Sequence, residues 1–451
     1  MLPAPPARRI AALAAAATLA LALSLSAFAV PAARALAAAD YLIAADPTAE
    51  RLYFYRLPDL APLGQLDNLK LGAHAGAFTL PDGGVVFVDD RAVQFVVVRP
   101  DASGVPSIAM RAPIPTPTPF GRAAWGGLDP SQRYLAVSSD DDGAARQTIS
   151  VLDTTTGAVS QILLELKANL NGQYEEVHAY IGGNPSTLFA TVGGEVRGYL
   201  LDDVLAGRAR SDAPSSAVTI TPNSHGPAFS HALGRLYSTT ADGLATADVI
   251  GGKLYRSRTI PWSSDGPRLG QNFRPRLSYD GSYLYGAVTG PTAGLAPTDW
   301  AQIQGYFHAV DLRSETSTAI PLGSGIMVRF ALSQSYALIP NLAADGDSAL
   351  LVDVLDGSPS FQQMIGRVPL AKLSDGPVAG EPTRGKQSRA ATITPDGRWG
   401  FVSHGGDGKI SVIDTAERRV ASTIDVPSTM AGGGYLYAVQ PGSRPADLAL
   451  R

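Results

Sequence analysis

Histidine supplies most of the chemistry open to this chain. There are six among 451 residues and no cysteine. Thiolate metal ligands, disulfides and a lipid-modified cysteine are therefore excluded, and His, Asp and Glu remain as strong ligands. Counting back six residues from Leu80, Asn184 and His231, each in the first turn of a repeated unit, reaches His74, His178 and His225. Three neutral imidazoles with an open fourth position are a known way to hold zinc. Glu175 and Glu176 stand just before His178 and could add a carboxylate. The competing reading is that polar residues lining a wet channel only bind water or backbone. His231, His308 and His404 read as surface or packing residues. Arg274, Arg329 and Arg389 fall near the starts of inner strands, where they would attract an anion or, more simply, hydrogen-bond the fold. No nucleophile and base stand at a recognisable spacing, so the sequence offers no catalytic residue.

The elements that would position these residues are strands. The chain holds 47 Gly and 34 Pro and many short runs of Val, Ile, Leu and Tyr bounded by turn signals, which predicts an all-β fold. The clearest unit is Ala390 to Val426: ATITPDG, RWGFVSHGGDG, KISVIDTAE, RRVASTIDV. In its Pro395-Asp396-Gly397 turn, proline presets φ and glycine accepts a positive one. Six weaker copies share the order of events, at residues 74–111, 122–165, 177–220, 225–262, 272–322 and 327–371. Tyr41 to Asp67 supplies strands two, three and four with no first strand, and Gly434 to Gln440 supplies one strand with nothing after it. Pairing these ends would close a ring and leave no open sheet stack. The expectation is a single propeller of eight four-stranded antiparallel blades over residues 40–442, with seven as the alternative if one weak unit is not a full sheet. Pro113 to Phe120 and Ala293 to Gln304 interrupt the repeat and belong on loops. Near the second interruption, Trp300 and Tyr306 are candidate exposed aromatics; Trp262 is another, or packs between blades.

Residues 1–39 read as a signal peptide: Arg8 and Arg9, an Ala/Leu run from Ile10 to Val30, then small-x-small sites at Ala27-Phe28-Ala29 and Ala35-Leu36-Ala37. An uncleaved anchor is the rival. The protein is expected to be exported, periplasmic or extracellular and monomeric, with residues 443–451 as a tail. A formal net charge of -4 and the lack of a basic stripe argue against nucleic acid.

The unit at 390–426 resembles the YVTN type of WD40-like propeller repeat, through Thr394 to Gly397 and Ser411 to Asp414. More narrowly, residues 178–242 resemble periplasmic zinc-chaperone propellers, which pass zinc to the solute-binding protein of an ABC importer. Val177-His178, Tyr199 to Gly207, His225-Gly226 and Ala241-Asp242-Gly243 carry that likeness. It implies zinc bound through His178 and His225. The chain departs from the family in lacking its acidic, His-rich segment and the Cys pair of some members. Three functions follow: a metal-handling propeller with His74, His178 and His225 as ligands and an importer's solute-binding protein as partner; a scaffold without metal that binds another exported protein or a glycan; or an enzyme such as a lactonase or a quinoprotein-like subunit.

Overall fold

The computed structural model describes residues 40–72, 76–115, 122–140, 145–166, 174, 177–192, 194–220, 227–240, 242–264, 275–289, 303–325, 329–343, 345–375 and 389–440. Residues 1–39 and 443–451, which the sequence reading took as a signal peptide and a tail, and much of both interruptions lie outside these residues. Among the described residues, no helix is long and apolar enough to cross a membrane.

The described strands form eight four-stranded antiparallel sheets, as the chain ends implied. Blade 1 is composite. Its innermost strand is Tyr435–Val439, paired with Tyr41–Asp46, then Arg51–Arg56, then Pro62–Asp67. The closing register pairs Tyr41 with Val439 and Ala45 with Tyr435. Blades 2 to 8 follow in chain order, with innermost strands Ala77–Thr79, Arg122–Leu128, Ala179–Gly182, Pro227–Ser230, Arg276–Leu277, Ala331–Leu332 and Ala391–Ile393. Blade 4 carries helix α1 (Leu201–Leu205) between its third and fourth strands.

Burial explains why the middle strands read as unbroken apolar runs: each blade is covered on both faces, so alternation sorts residues between neighbours and not between core and water. In Tyr41–Asp46, Tyr41, Ile43 and Ala45 pack with Val85, Phe87 and Val96 of blade 2, while Leu42 and Ala44 pack with Phe401, Ile410 and Val412 of blade 8. Eight such apolar clusters each join two neighbouring blades. The core is therefore a ring.

The turns joining first to second and third to fourth strands lie at one end of the blades, the turn face. Second-to-third turns and the crossings between blades lie at the other, the crossing face. Turn-face chemistry is local and repeated. Asp153, Asp311 and Asp414 end third strands and accept backbone N–H groups two or three residues on: Thr155 at 2.9 Å, Arg313 at 2.8 Å and Glu417 at 3.0 Å. This is the Asx turn that the S-V-I-D pattern encodes. Against a desolvation that would raise it, hydrogen bonds from Arg133 and Thr155 hold Asp153 well below the usual carboxylate range. In the first turn of blade 8, Gly397 has φ of +78° and a Cβ there would sit 2.9 Å from Ser333 Oγ of blade 7, so glycine is required twice over.

Outer edges are blunted. Pro62, Pro106, Pro113, Pro261, Pro321 and Pro369 stand in outermost strands, where a missing donor blocks pairing with another chain. Blades 3, 4 and 8 have no proline there; in blade 3 the segment from the end of α1 covers the edge, where Ser211 Oγ accepts from Glu165 N at 2.8 Å and Leu205 O from Ser160 Oγ at 3.1 Å.

Candidate functional site

In the sequence each predicted histidine ligand precedes an innermost strand. His178 directly precedes Ala179–Gly182, His225 lies two residues before Pro227–Ser230, and His74 three before Ala77–Thr79. Only His178 is among the described residues; His74, His225, Glu175, Glu176 and Arg274 lie outside them. Its backbone is held on both sides. His178 N donates to Thr191 Oγ1 at 2.9 Å and His178 O accepts from Thr191 N at 3.1 Å. The preceding Val177 N donates to Gln147 Oε1 of blade 3 at 3.0 Å. Val177 is fully buried between blades 3 and 4, so the strand cannot slide, and His178 is 3% exposed. Among the described residues, no three His, Cys, Asp or Glu converge as a metal-binding group.

Strand register refines the count that set the three histidines level. The first hairpins close at Leu80 with Gly84, Gly182 with Thr187, and Ser230 with Arg235. From those closing residues His74 is six positions back, His178 four and His225 five. The sequence count started from Leu80 itself but from two residues past Gly182 and one past Ser230, because turn lengths differ. An equal count in the sequence is therefore not an equal position in the strand register. Side chains alternate along a strand, so a common ion would need the crossings of blades 2 and 5 to turn their imidazoles toward His178.

The opposite sector of this mouth is held by guanidinium groups. Arg276 donates to Phe330 O of blade 7 at 2.7 Å and lies 4.7 Å over the Phe330 ring. Arg329, before the inner strand of blade 7, donates to Gly434 O at the start of blade 1 at 3.4 Å and lies 5.4 Å from the Tyr435 ring centroid. Burial pushes its pKa down, against the opposing pull of Tyr435 and Tyr437. Arg389 is 3% exposed and ties three elements together through Asp347 Oδ2 at 2.7 Å, Ser403 O at 3.3 Å and Ala371 O. These arginines do the structural hydrogen bonding that the simpler sequence reading assigned to Arg329 and Arg389.

The other histidines are packing residues of different kinds. His231 is exposed in its turn, edge-on to Phe229 with centroids 4.8 Å apart. His308 is fully buried in the third strand of blade 6, and desolvation lowers its pKa to about 4. Trp262 packs between blades 5 and 6, its Nε1 donating to Thr240 O at 2.9 Å and its ring 6.3 Å from His308. Tyr306 is half-buried, and Trp300 lies outside the described residues. His404 has partners that no sequence spacing announced: Nε2 is 2.7 Å from Ser411 Oγ, and Nδ1 is 3.7 Å from Asp407 Oδ2. The residue types are those of a nucleophile, base and acid. Ser411 and His404 are 3% and 4% exposed, so the hydroxyl has no approach for a substrate and the set braces a hairpin. The signal was cross-strand register, since His404 pairs with Lys409 and Ser411 lies two residues beyond.

No protein-family model and no curated protein sequence matches the chain. Solved structures do match its fold. Apo AztD from Citrobacter koseri aligns with a TM-score of 0.60 at 14% identity, over 89% of this chain and 99% of that one. The dihydro-heme d1 dehydrogenase NirN in complex with DHE aligns with a TM-score of 0.57 at 17% identity, over 90% of this chain and 76% of that one. A protein of unknown function from Desulfotomaculum acetoxidans DSM 771 gives 0.51 at 11% identity, over 89% and 99%. At such identities the likeness is one of fold.

Proposed function

We propose that this chain is an exported β-propeller that takes up a metal ion, zinc, at the crossing-face mouth of its channel and hands it to a partner, the solute-binding protein of an ABC metal importer. His178 would bind the ion with His74 and His225, and Glu175 or Glu176 would complete the shell. One observation carries this reading: a buried histidine, His178, stands at the start of an innermost strand, and in the sequence His74 and His225 stand three and two residues before the innermost strands of blades 2 and 5. The donor chemistry suits zinc, since neutral imidazole is its commonest protein ligand and no thiolate is available. The resemblance of residues 178–242 to periplasmic zinc chaperones and the fold likeness to apo AztD point the same way.

Zinc titration calorimetry on the chelator-stripped mature chain, beside the variant His74→Ala, His178→Ala, His225→Ala, is the test. A single tight site that is absent from the variant is expected. A parent that binds no more tightly than scattered surface carboxylates leaves the scaffold reading, in which the crossing face engages an exported protein or a glycan without metal.

A further inference from the structure

The last residue of a blade's second strand recurs as a brace on the crossing face. In blade 1 it is Asp46, 1% exposed, which accepts from Thr48 N and Ala49 N in its own turn at 2.9 and 3.0 Å and from Ser428 Oγ and Met430 N of the incoming crossing at 2.7 and 3.0 Å. In blade 2 it is Asp89, fully buried, which accepts from Arg91 N in its own turn at 3.2 Å and from Lys70 N of the crossing at 3.0 Å. In blade 8 the position holds His404.

There the grip passes to the neighbouring backbone. Gly405 O accepts from Ser374 N at 3.2 Å and Asp375 N at 3.1 Å, and Gly406 N and Gly408 N both donate to Thr429 O at 3.0 Å. Asp375 Oδ2 accepts from Gly432 N at 2.7 Å, and Ser403 Oγ donates to Gly433 O at 2.7 Å. One glycine-rich loop thus joins the segment leaving blade 7, the hairpin of blade 8 and the segment that closes the ring, and His404 is its buried pillar.

We infer that His404 makes this brace proton-sensitive: acidification loosens the 371–375 and 428–434 segments from the blade 8 loop while the rest of the ring holds. Each group around the imidazole bears on the sign. Arg389, before the innermost strand, and Lys409, on the same hairpin, oppose a positive charge; Asp407 favours one. Asp375 faces the loop from the blade 7 side, where a Cβ on Gly406 would meet its side chain at 2.9 Å, and Asp347 is engaged by Arg389. The closing segment 426–434 contains no titratable side chain. Burial comes first among the causes and, with Arg389, outweighs Asp407, so the folded loop favours the neutral ring. Protons therefore bind the opened loop more strongly than the closed one, and opening becomes easier as pH falls below the ordinary histidine range.

Hydrogen exchange read by mass spectrometry on the intact chain, corrected for intrinsic rates, tests this. Between about pH 7.5 and about pH 5, protection in peptides covering 371–375, 404–408 and 426–434 is expected to fall by at least about threefold in the parent. His404→Gln should hold it level, while peptides of blade 6 around His308 still respond. Asp407→Asn, which keeps an acceptor for Lys409 N but removes the supporting charge, should deepen the loss. A parent without the fall, or a His404→Gln chain that keeps it, overturns the inference; if His404→Gln does not fold, an unchanged response in Asp407→Asn does so.

Discussion

The turn face and the crossing face are built by different physics. On the turn face the repeated contacts are local: Asp153, Asp311 and Asp414 satisfy backbone groups within three residues, Arg133 and Arg398 meet the aspartates of their own blades at 2.7 and 3.1 Å, and the Arg235–Glu315 pair at 2.8 Å is an exception that joins blades 5 and 6. On the crossing face the partners are remote. Asp46 reaches Ser428 and Met430 across separations of 382 and 384 residues, and Arg389 reaches Asp347 across 42. The lesson is that a repeat can standardise one end of its blades and leave the other free for individual side chains, which is where His178, His404 and the arginines Arg276, Arg329 and Arg389 stand.

The comparison is broken most directly by removing one aspartate from each face. Asp46→Ala leaves two turn N–H groups and two groups of the closing segment without their acceptor in a buried setting, a loss of about 4 kcal/mol. Asp153→Ala removes an equally short set of bonds, but beside an arginine whose side chain is 48% exposed and in a turn water can reach, so about 1 to 2 kcal/mol is expected. Urea midpoints of the two variants decide the matter: equal shifts would mean that closure adds nothing to local capping.

Between the faces lies the inter-blade core, and His308 gives it a pH signature. Its folded pKa is about 4 because burial disfavours the charged ring, against about 6.5 when unfolded. The unfolded chain therefore binds the proton first. Stability from this group is intact above about pH 6.5 and declines as pH falls toward about 4, by about 3 kcal/mol in all. A denaturant series across that range should show the slope in the parent and lose most of it in His308→Phe. A slope that survives the substitution would assign acid sensitivity to the crossing face instead.

What the sequence disclosed follows the same division. The eight blades were legible because their evidence is local and repeated: the TPDG and S-V-I-D patterns of residues 390–426, and three strands at one end of the chain that lack the single strand found at the other. The candidate site was legible only as composition and count. His178 could be placed before an inner strand, yet its height relative to His74 and His225 depended on turn lengths that vary from Leu80–Gly84 to Gly182–Thr187. The His404–Ser411 contact and the grip of Asp46 on Ser428 were hidden for a related reason. Each is a tertiary pairing between residue types that are common in turns, and nothing in their spacing marks them.

The smallest effect is the most discriminating test of how local the turn face is. Arg133→Ala and Arg398→Ala each remove one ion pair from a half-exposed guanidinium, at 48% and 51% side-chain exposure, and pairs of this kind contribute under about 1 kcal/mol. Because the two pairs belong to blades 3 and 8 and share no partner, the double variant should lose the sum of the single effects within about 0.5 kcal/mol, measured by thermal or urea unfolding at low salt. Raising the ionic strength should erase most of the difference between parent and variants. A double-variant loss well beyond the sum would show that turns in distant blades are coupled through the ring, and the turn face would then be as global in its energetics as the crossing face.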